Sequence, residues 1–531
     1  MAGPSDYDVY WGDFHKHASE PKSNLNRLDE ALEDTSYNID IYPVLCYPFT
    51  WFATGDIGFE YRTEDRSHWG VREETVQNRP EFHDWWERIQ TATAAHNDPG
   101  EFVTFPAYEW NGNRRRWGDH NVVHFEEGAP LDDTWNLADL YENLHDLDMP
   151  AMALPHHTAY KQGERAKDWD LFDPELSPVM EVYSAHGSSE GVGTPVAMDN
   201  NPSMGPRASG GTLQDGLDRG HQVGVIASND SGGLPGSWGN GVAGIWASDL
   251  TRASVWEALE NRRTYGTTGD RIGLWYELDG QPMGAVVESD ESVTATVDID
   301  CAQALDRVEL VGDGRVVETY THRGRWEYPD PEEETTFRVL IEMGWGPKPN
   351  YGDWHGTENE WAGTATVTDG TLGEVQPRFN GWGQRFEHDG DACSFDLTTE
   401  RDSPTYETTQ GLVFTITGDG ETTLELAVEG HDQISVTLAE LFGETRVVAF
   451  TDRCYDRLES EFNLTREEID NPDLVYHNAR KLKVHPAYPR SACATTVEFD
   501  GLSADRDYYY VRASQTDDQY AWSSPVWVVS E

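Results

Sequence analysis

At 531 residues the chain is too long for one ordinary core, so two or three domains are expected. Its formal charge of −57, with seven lysines against 32 arginines, argues against nucleic acid as a partner, because binding phosphate backbones needs clusters of lysine and arginine. No run of 18 apolar residues occurs, and the opening MAGPSDYDVY has neither a basic region nor an apolar core; the expectation is a cytoplasmic protein with no membrane span and no secretory signal.

In chain order, Val9, Tyr10 and Trp11 read as a short strand that Gly12 breaks, just before His15 and His17. Leu25, Leu28 and Leu32 share one face of a helix, and Asp40–Tyr47 reads as the next strand. A polar, Trp-bearing insertion leads to a helix over Pro80–His96, where proline suits the first turn and Phe82, Trp85 or Trp86, and Ile89 line one face. Strands follow at Phe102–Trp110, Val122–Phe125, Ala151–Leu154, Val179–Tyr183, Val223–Ala227 and Val242–Ala247. Helices are expected at Leu137–Leu147, Leu213–Leu217 and Val255–Arg263. Repeated strand–helix pairs imply a parallel sheet with crossovers, wrapped into a barrel over residues 1–272. From about Gly273 the texture becomes strand-like alternation between Gly and Asp turns, as in SVTATVDID, DRVELVGDG, LVFTITGDG and DYYYVRASQ. That predicts an all-β, sandwich-type region over 273–531, either one sandwich with an insertion around 345–420 or two stacked ones.

The acid is spread evenly along the chain and accompanied by 20 tryptophans, which suggests a folded protein from a high-salt cytoplasm that screens its self-repulsion. The cysteines, Cys46, Cys301, Cys393, Cys454 and Cys493, are odd in number and irregular in spacing. They exclude a zinc ribbon and argue against a disulfide framework, so reduced, buried thiols are expected.

Chemistry gathers at strand ends. His15 and His17, Glu109, His156 and His157, His186, and Asp230 each fall at or just past the end of a different expected strand. In a parallel α/β barrel that is where the active site lies. Neutral imidazoles with carboxylates favour Mn, Zn or Fe, whereas Ca or Mg would want oxygen donors throughout.

The segments WGDFHKHAS, PAYEWNGN…WGDHNVVHF, ALPHHTAY, EVYSAHGSSE, VIASND and ENRRTYGTTGDRI together resemble the PHP (polymerase and histidinol phosphatase) superfamily, and more closely its carbaryl-hydrolase-related branch. The ending YYYVRASQ…AWSSPVWV is similar to the β-rich tail of that branch. The resemblance implies a distorted (β/α)7 TIM-like barrel carrying divalent transition metal. By position, His15, His17, Glu109 and Asp230 would hold a first ion; Glu109, His156 and His186 would hold a second, with His157 the alternative to His156 and Glu181 the alternative to His186. Three family histidines are missing. Cys46-Tyr47 stands for Asp-His, Ser23 lies near the place of a third histidine, and Asp230-Ser231-Gly232 stands for Asp-x-His. These are the histidines of the third metal in trinuclear members, so the implied site holds one or two ions.

The implied activity is hydrolysis of an ester, amide or phosphoester bond of a small molecule by metal-activated water. His120, or whichever of His156 and His157 is not a ligand, is the candidate acid for the leaving group. Lys161 and Arg262 or Arg263 are candidates for gripping an anionic substrate. An inactive relic acting as a ligand- or carbohydrate-binding module is the alternative, and oligomer formation stays open.

Overall fold

A computed structural model describes residues 6–17, 28–46, 80–110, 112–132, 134–199, 205–230, 233–344, 358–400 and 409–530. The expectations resting on Ser23, Leu25, the Trp-bearing insertion, Tyr47, the Phe82 side chain and Ser231-Gly232 lie outside the described residues. So do 345–357 and 401–408, within the expected insertion.

The first half runs β1 (Asp8–Gly12), α1 (Leu28–Ser36), β2 (Ile41–Cys46), α2 (Pro80–His96), β3 (Val103–Trp110), α3 (Arg114–Trp117), β4 (Asp119–His124), α4 (Leu137–His145), β5 (Ala151–His156), β6 (Val179–Ser184), β7 (Gly187–Ser188), α5 (Leu213–Leu217), β8 (Gly224–Ala227), β9 (Val242–Ala247), α6 (Arg252–Glu260) and β10 (Thr264–Thr267). Each expected strand and helix in the described part of this half is present, shifted at its ends by a few residues.

Their assembly is not a (β/α)7 barrel. Strand outweighs helix, 43% of the chain against 17%, and among the described residues no sheet closes on itself. The largest sheet is an open path ending in β10-β9-β1-β2-β3-β4-β5, and along that run β1, β2 and β3 pair in parallel. From β3 to β4 to β5, and from β1 to β9 to β10, the pairing is antiparallel. The reason lies in the connections. A parallel pair needs a crossover of a dozen or more residues, and α3 with its short flanks supplies too few, so β4 turns back along β3. The β9–β10 link holds all of α6 yet still returns antiparallel, so strand–helix alternation did not by itself dictate direction. β6, β7 and β8 form a separate three-stranded sheet in which β6 and β8 are parallel.

The strands expected after Gly273 are there, divided among three sheets. The region is not all β, however: it also holds helices at Thr451–Phe462 and Pro472–Asn478, which share a small core of Cys454, Leu458 and Val475. Tyr520–Ser523 pairs with β10, and Tyr508–Gln515, Val526–Val529, Val286–Glu288 and Leu305–Gly312 extend the same sheet. Gly273–Leu278, Val293–Asp300 and Ala494–Leu502 belong to a four-stranded sheet. Thr335–Gly344, Glu358–Arg378, Ala392–Glu400 and Thr409–Val428 belong to a nine-stranded sheet with its own core around Phe337, Trp361, Phe414 and Leu426. All five cysteines are free and buried. No helix among the described residues is long and apolar enough to cross a membrane.

Alternation along the strands positions the site. β2, β3, β4 and β5 are buried along their whole length, so both faces are covered. Ile41, Leu45, Val103, Phe105, Ala107, Val123, Met152, Leu154 and Val179 form one core. Tyr42, Val44, Tyr108, Trp110, Val122 and Ala153 belong to another on the opposite face. With a side-chain period of two, Glu109, Asp119, His156 and Glu181 fall on the first face, at one end of that core. His120 and His124 fall on the second.

Candidate metal centre

The turn after β1 is pinned by Asp13. Its buried carboxylate accepts from the backbone N–H groups of His15 (3.0 Å), Asn229 (3.1 Å) and Gly236 (2.8 Å), and Asp230 N–H donates to His15 O at 2.8 Å. The loop after β8 is thereby held against the loop after β1, although the two lie more than 200 residues apart. His157 (φ +31°) and Asp230 (φ +48°) both take the left-handed backbone conformation, which turns each away from the run of the strand before it.

Around this turn the expected ligands converge. His17 Nε2 lies 2.7 Å from Glu109 Oε2, and His15 Nε2 lies 3.9 Å from the same oxygen. The other oxygen, Glu109 Oε1, is 3.6 Å from His156 Nε2. Glu109 therefore sits between His17 and His156 with one oxygen toward each, as a bridging carboxylate does. His15 Nδ1 is bonded to Glu181 Oε2 at 2.7 Å, and its Nε2 is 3.4 Å from Asp230 Oδ1. Four sets have ligand atoms within 4.8 Å of one another, the spacing of a metal site: His15/His17/Glu109, His15/Glu181/Asp230, His15/His156/His157 and Glu109/Asp119/His156. His186 is in none of them among the described residues. It stands behind Asp230, with Nε2 3.0 Å from Oδ2 and Nδ1 hydrogen-bonded to Tyr160 OH.

The electrostatics favour a cation. Four carboxylates, Glu109, Asp119, Glu181 and Asp230, gather here, and the guanidiniums of Arg114 and Arg165 pair with Glu109 and Asp119. Burial opposes charging His15, yet the Asp230 and Glu181 carboxylates hold it well above the ordinary imidazole range. Burial raises Glu109, but the nearby imidazoles of His15, His156 and His17, the last hydrogen-bonded to it, bring it well below the usual carboxylate range. Burial, then the neighbouring His15, lowers His156 and keeps that ring neutral, the form that binds metal. Both nitrogens of His156, and His15 Nε2, are buried with no hydrogen-bond partner among the described residues. Buried polar atoms are rarely left so, and an ion between these rings satisfies all of these nitrogens except the one His156 turns away from it.

His120 and the two arginines lie elsewhere. His120 faces the opposite side of β4, where Lys167 Nζ donates to its Nε2 at 3.1 Å beside Tyr141 and Trp110. Burial pushes that lysine down to about 7 and His120 well below its ordinary value. Lys161 is 73% exposed, 4.0 Å from Glu164. Arg263 precedes β10 at the end of the sheet that carries Asp8, the opposite end from His15; it pairs with Glu257 at 3.0 Å and covers the Tyr7 ring. Arg262 lies over Trp527. Neither arginine is brought to the cluster.

Sequence reasoning missed Asp119, Arg114 and Arg165. Asp119 accepts from Arg114 Nε (2.8 Å) and Nη2 (2.7 Å) and from Arg165 Nε (2.7 Å), and these charges hold it below its usual range against the effect of burial. Alternation with Val123 across a strand begun at Asp119 would have placed that carboxylate; Arg165, in a loop, leaves no such signal.

A family model described as a protein of unknown function (DUF3604) matches residues 57–170 and 227–276. An uncharacterized protein of Chlamydia pneumoniae is 27% identical over 273 residues, 46% of this chain and 43% of its own length. One from Chlamydia muridarum is 24% identical over 200 residues, 34% and 32% of the two chains. The chain thus spans less than half the length of these curated relatives. Among solved structures, a two-domain protein from Bacteroides vulgatus, described as containing a predicted PHP-like metal-dependent phosphoesterase, is 13% identical with a TM-score of 0.31, over 60% of this chain and 86% of that one.

Proposed function

We propose that this chain is a metal-dependent hydrolase acting on an ester, amide or phosphoester bond of a small molecule, with one or two divalent ions such as Mn, Zn or Fe. The observation that carries the reading is the convergence on the Glu109 carboxylate of buried His15 Nε2 and His156 Nε2, which have no hydrogen-bond partner among the described residues. His15, His17, Glu109 and Asp230 would hold one ion, and Glu109 with His156 would hold another. When bound, such an ion supplies polarisation of the bond to be cleaved and nucleophilic water near neutral pH. The chain's own part is orientation. Asp13 ties the two ligand-bearing loops together, Glu181 fixes the His15 ring through Nδ1, and His186 steadies Asp230.

Metal analysis and a turnover panel of p-nitrophenyl acetate, an anilide and bis-p-nitrophenyl phosphate test this. The expected result is about one to two equivalents of transition metal, with turnover that chelator or His156→Ala abolishes. Retention of calcium alone, or a fully loaded protein that cleaves nothing on the panel, overturns the enzyme reading; the second result points to a binding module.

A further inference from the structure

His156 and His157 are adjacent, equally buried and both beside His15, with ring centroids 3.9 and 5.8 Å from it. Their nitrogens are nevertheless used differently. Both nitrogens of His156 have no hydrogen-bond partner among the described residues. His157 Nε2 is 2.7 Å from Arg165 Nη2, while its Nδ1 is buried with no hydrogen-bond partner among them. A guanidinium is a permanent donor with no lone pair to offer. At that separation Nε2 must be the acceptor, and in a neutral ring the single proton then sits on Nδ1. Asp119 Oδ2 lies 3.5 Å from the same Nε2, too far to take a proton from it, and it is already engaged by Arg165. Arg165 is itself anchored through that carboxylate, which Arg114 grips from the other side. The backbone adds a second constraint: His157 is held at φ +31°, its N–H donating to Glu181 Oε1 at 3.2 Å.

We propose that Arg165, anchored on Asp119, is a positioning residue that fixes His157 with its proton on Nδ1. His157 then faces the site as a hydrogen-bond donor to an oxygen of the group being hydrolysed, and is neither a metal ligand nor a source of the leaving-group proton. A protonated Nδ1 has no lone pair for a metal. Giving that proton away while Arg165 occupies Nε2 would leave an imidazolate, which is out of reach near neutral pH. The donor is suited to an oxygen that gains negative charge as the bond breaks, a carbonyl or phosphoryl oxygen. The donor role rests on the hydrolase reading above; the position of the proton does not.

Two measurements test the proposal. In protein labelled with 15N-histidine, long-range proton–nitrogen spectra, with His157 assigned by its loss in His157→Asn, are expected to show a protonated Nδ1 and a bare Nε2. Arg165→Met is expected to mix the two tautomers. A protonated Nε2 in the wild type overturns the proposal, whatever the metal content. For function, asparagine places its amide near Nδ1 and tolerates positive φ, whereas glutamine places its amide near Nε2. His157→Asn is expected to keep its metal and to stay within about tenfold of wild-type kcat on p-nitrophenyl acetate, while His157→Gln loses on the order of 100-fold at equal metal content. Loss of metal in both variants marks a ligand, and equal loss of kcat in both marks a proton donor; either result sinks the proposal. A wild type that binds metal but turns nothing over defeats the hydrolase reading and with it the donor role, while the spectra still decide where the proton sits.

Discussion

His124 shows what burial does to one side chain. It sits on β4 between the rings of Trp86 and Tyr108, fully buried, with neither nitrogen partnered among the described residues. Burial pushes its pKa down to about 3. The unfolded chain takes up this proton near pH 6.5, and the folded chain does so only near 3. Between those values the unfolded state binds more protons, so stability falls as the pH falls, by up to about 1.4 kcal/mol per pH unit from this residue. His124→Phe keeps an aromatic ring in that slot. Its stability is expected to decline less steeply than the wild type's between pH 6.5 and 3, measured by denaturant midpoints; parallel curves would show that His124 does not stay neutral in the fold. The same alternation that sends His124 and His120 to this face sends Asp119 to the cluster. At this scale much of the centre was legible: His15, His17, Glu109, His156 and Asp230 are all brought together. Of their partners, Glu181 on His15 comes from a strand 166 positions away, while Arg165 is only eight residues from His157 but in a loop with no periodicity to mark it.

At the scale of elements, strand and helix positions were legible because apolar periodicity reports burial directly. Strand direction was not. β9 and β10 illustrate what sets it. Gly244 and Tyr265 face each other in the antiparallel register, and a Cβ on Gly244 would lie 2.1 Å from the Tyr265 ring. The tyrosine ring lies across the glycine, so the register needs that glycine. Gly244→Ala is expected to destabilise the protein by about 1–3 kcal/mol through overpacking, read as a lowered urea midpoint; Tyr265→Leu in the same background should recover part of the loss. An unchanged midpoint for Gly244→Ala would mean that the pair does not hold the register. A hydrophobic pattern carries no information on this contact, because glycine contributes nothing to it.

Across the whole molecule, the last strands complete the first sheet. Trp522 donates to Glu190 Oε2 at 2.9 Å, and Arg512 and Tyr510 donate to Glu190 Oε1 at 2.6 and 2.7 Å, all buried. These bonds join residues more than 300 positions apart, in a chain whose charge of −57 works against compaction. Repulsion among exposed carboxylates is screened within about 3 Å at 1 M salt and reaches about 30 Å at 0.01 M. The thermal midpoint is therefore expected to fall markedly on dialysis from molar to millimolar KCl. A flat midpoint would show that the ion pairs already balance the repulsion.

Sequence alone determined most of the strands and helices of the first half, the free cysteines and most of the cluster's donors, because each follows from local periodicity, spacing or side-chain chemistry. Tertiary structure decided the open, mixed sheet and the placement of Arg263 at the opposite end of that sheet from His15. It also decided the different hydrogen-bond surroundings of His156 and His157. These depend on which distant groups share a face or a nitrogen, and the order of residues along a chain does not encode that contact by contact.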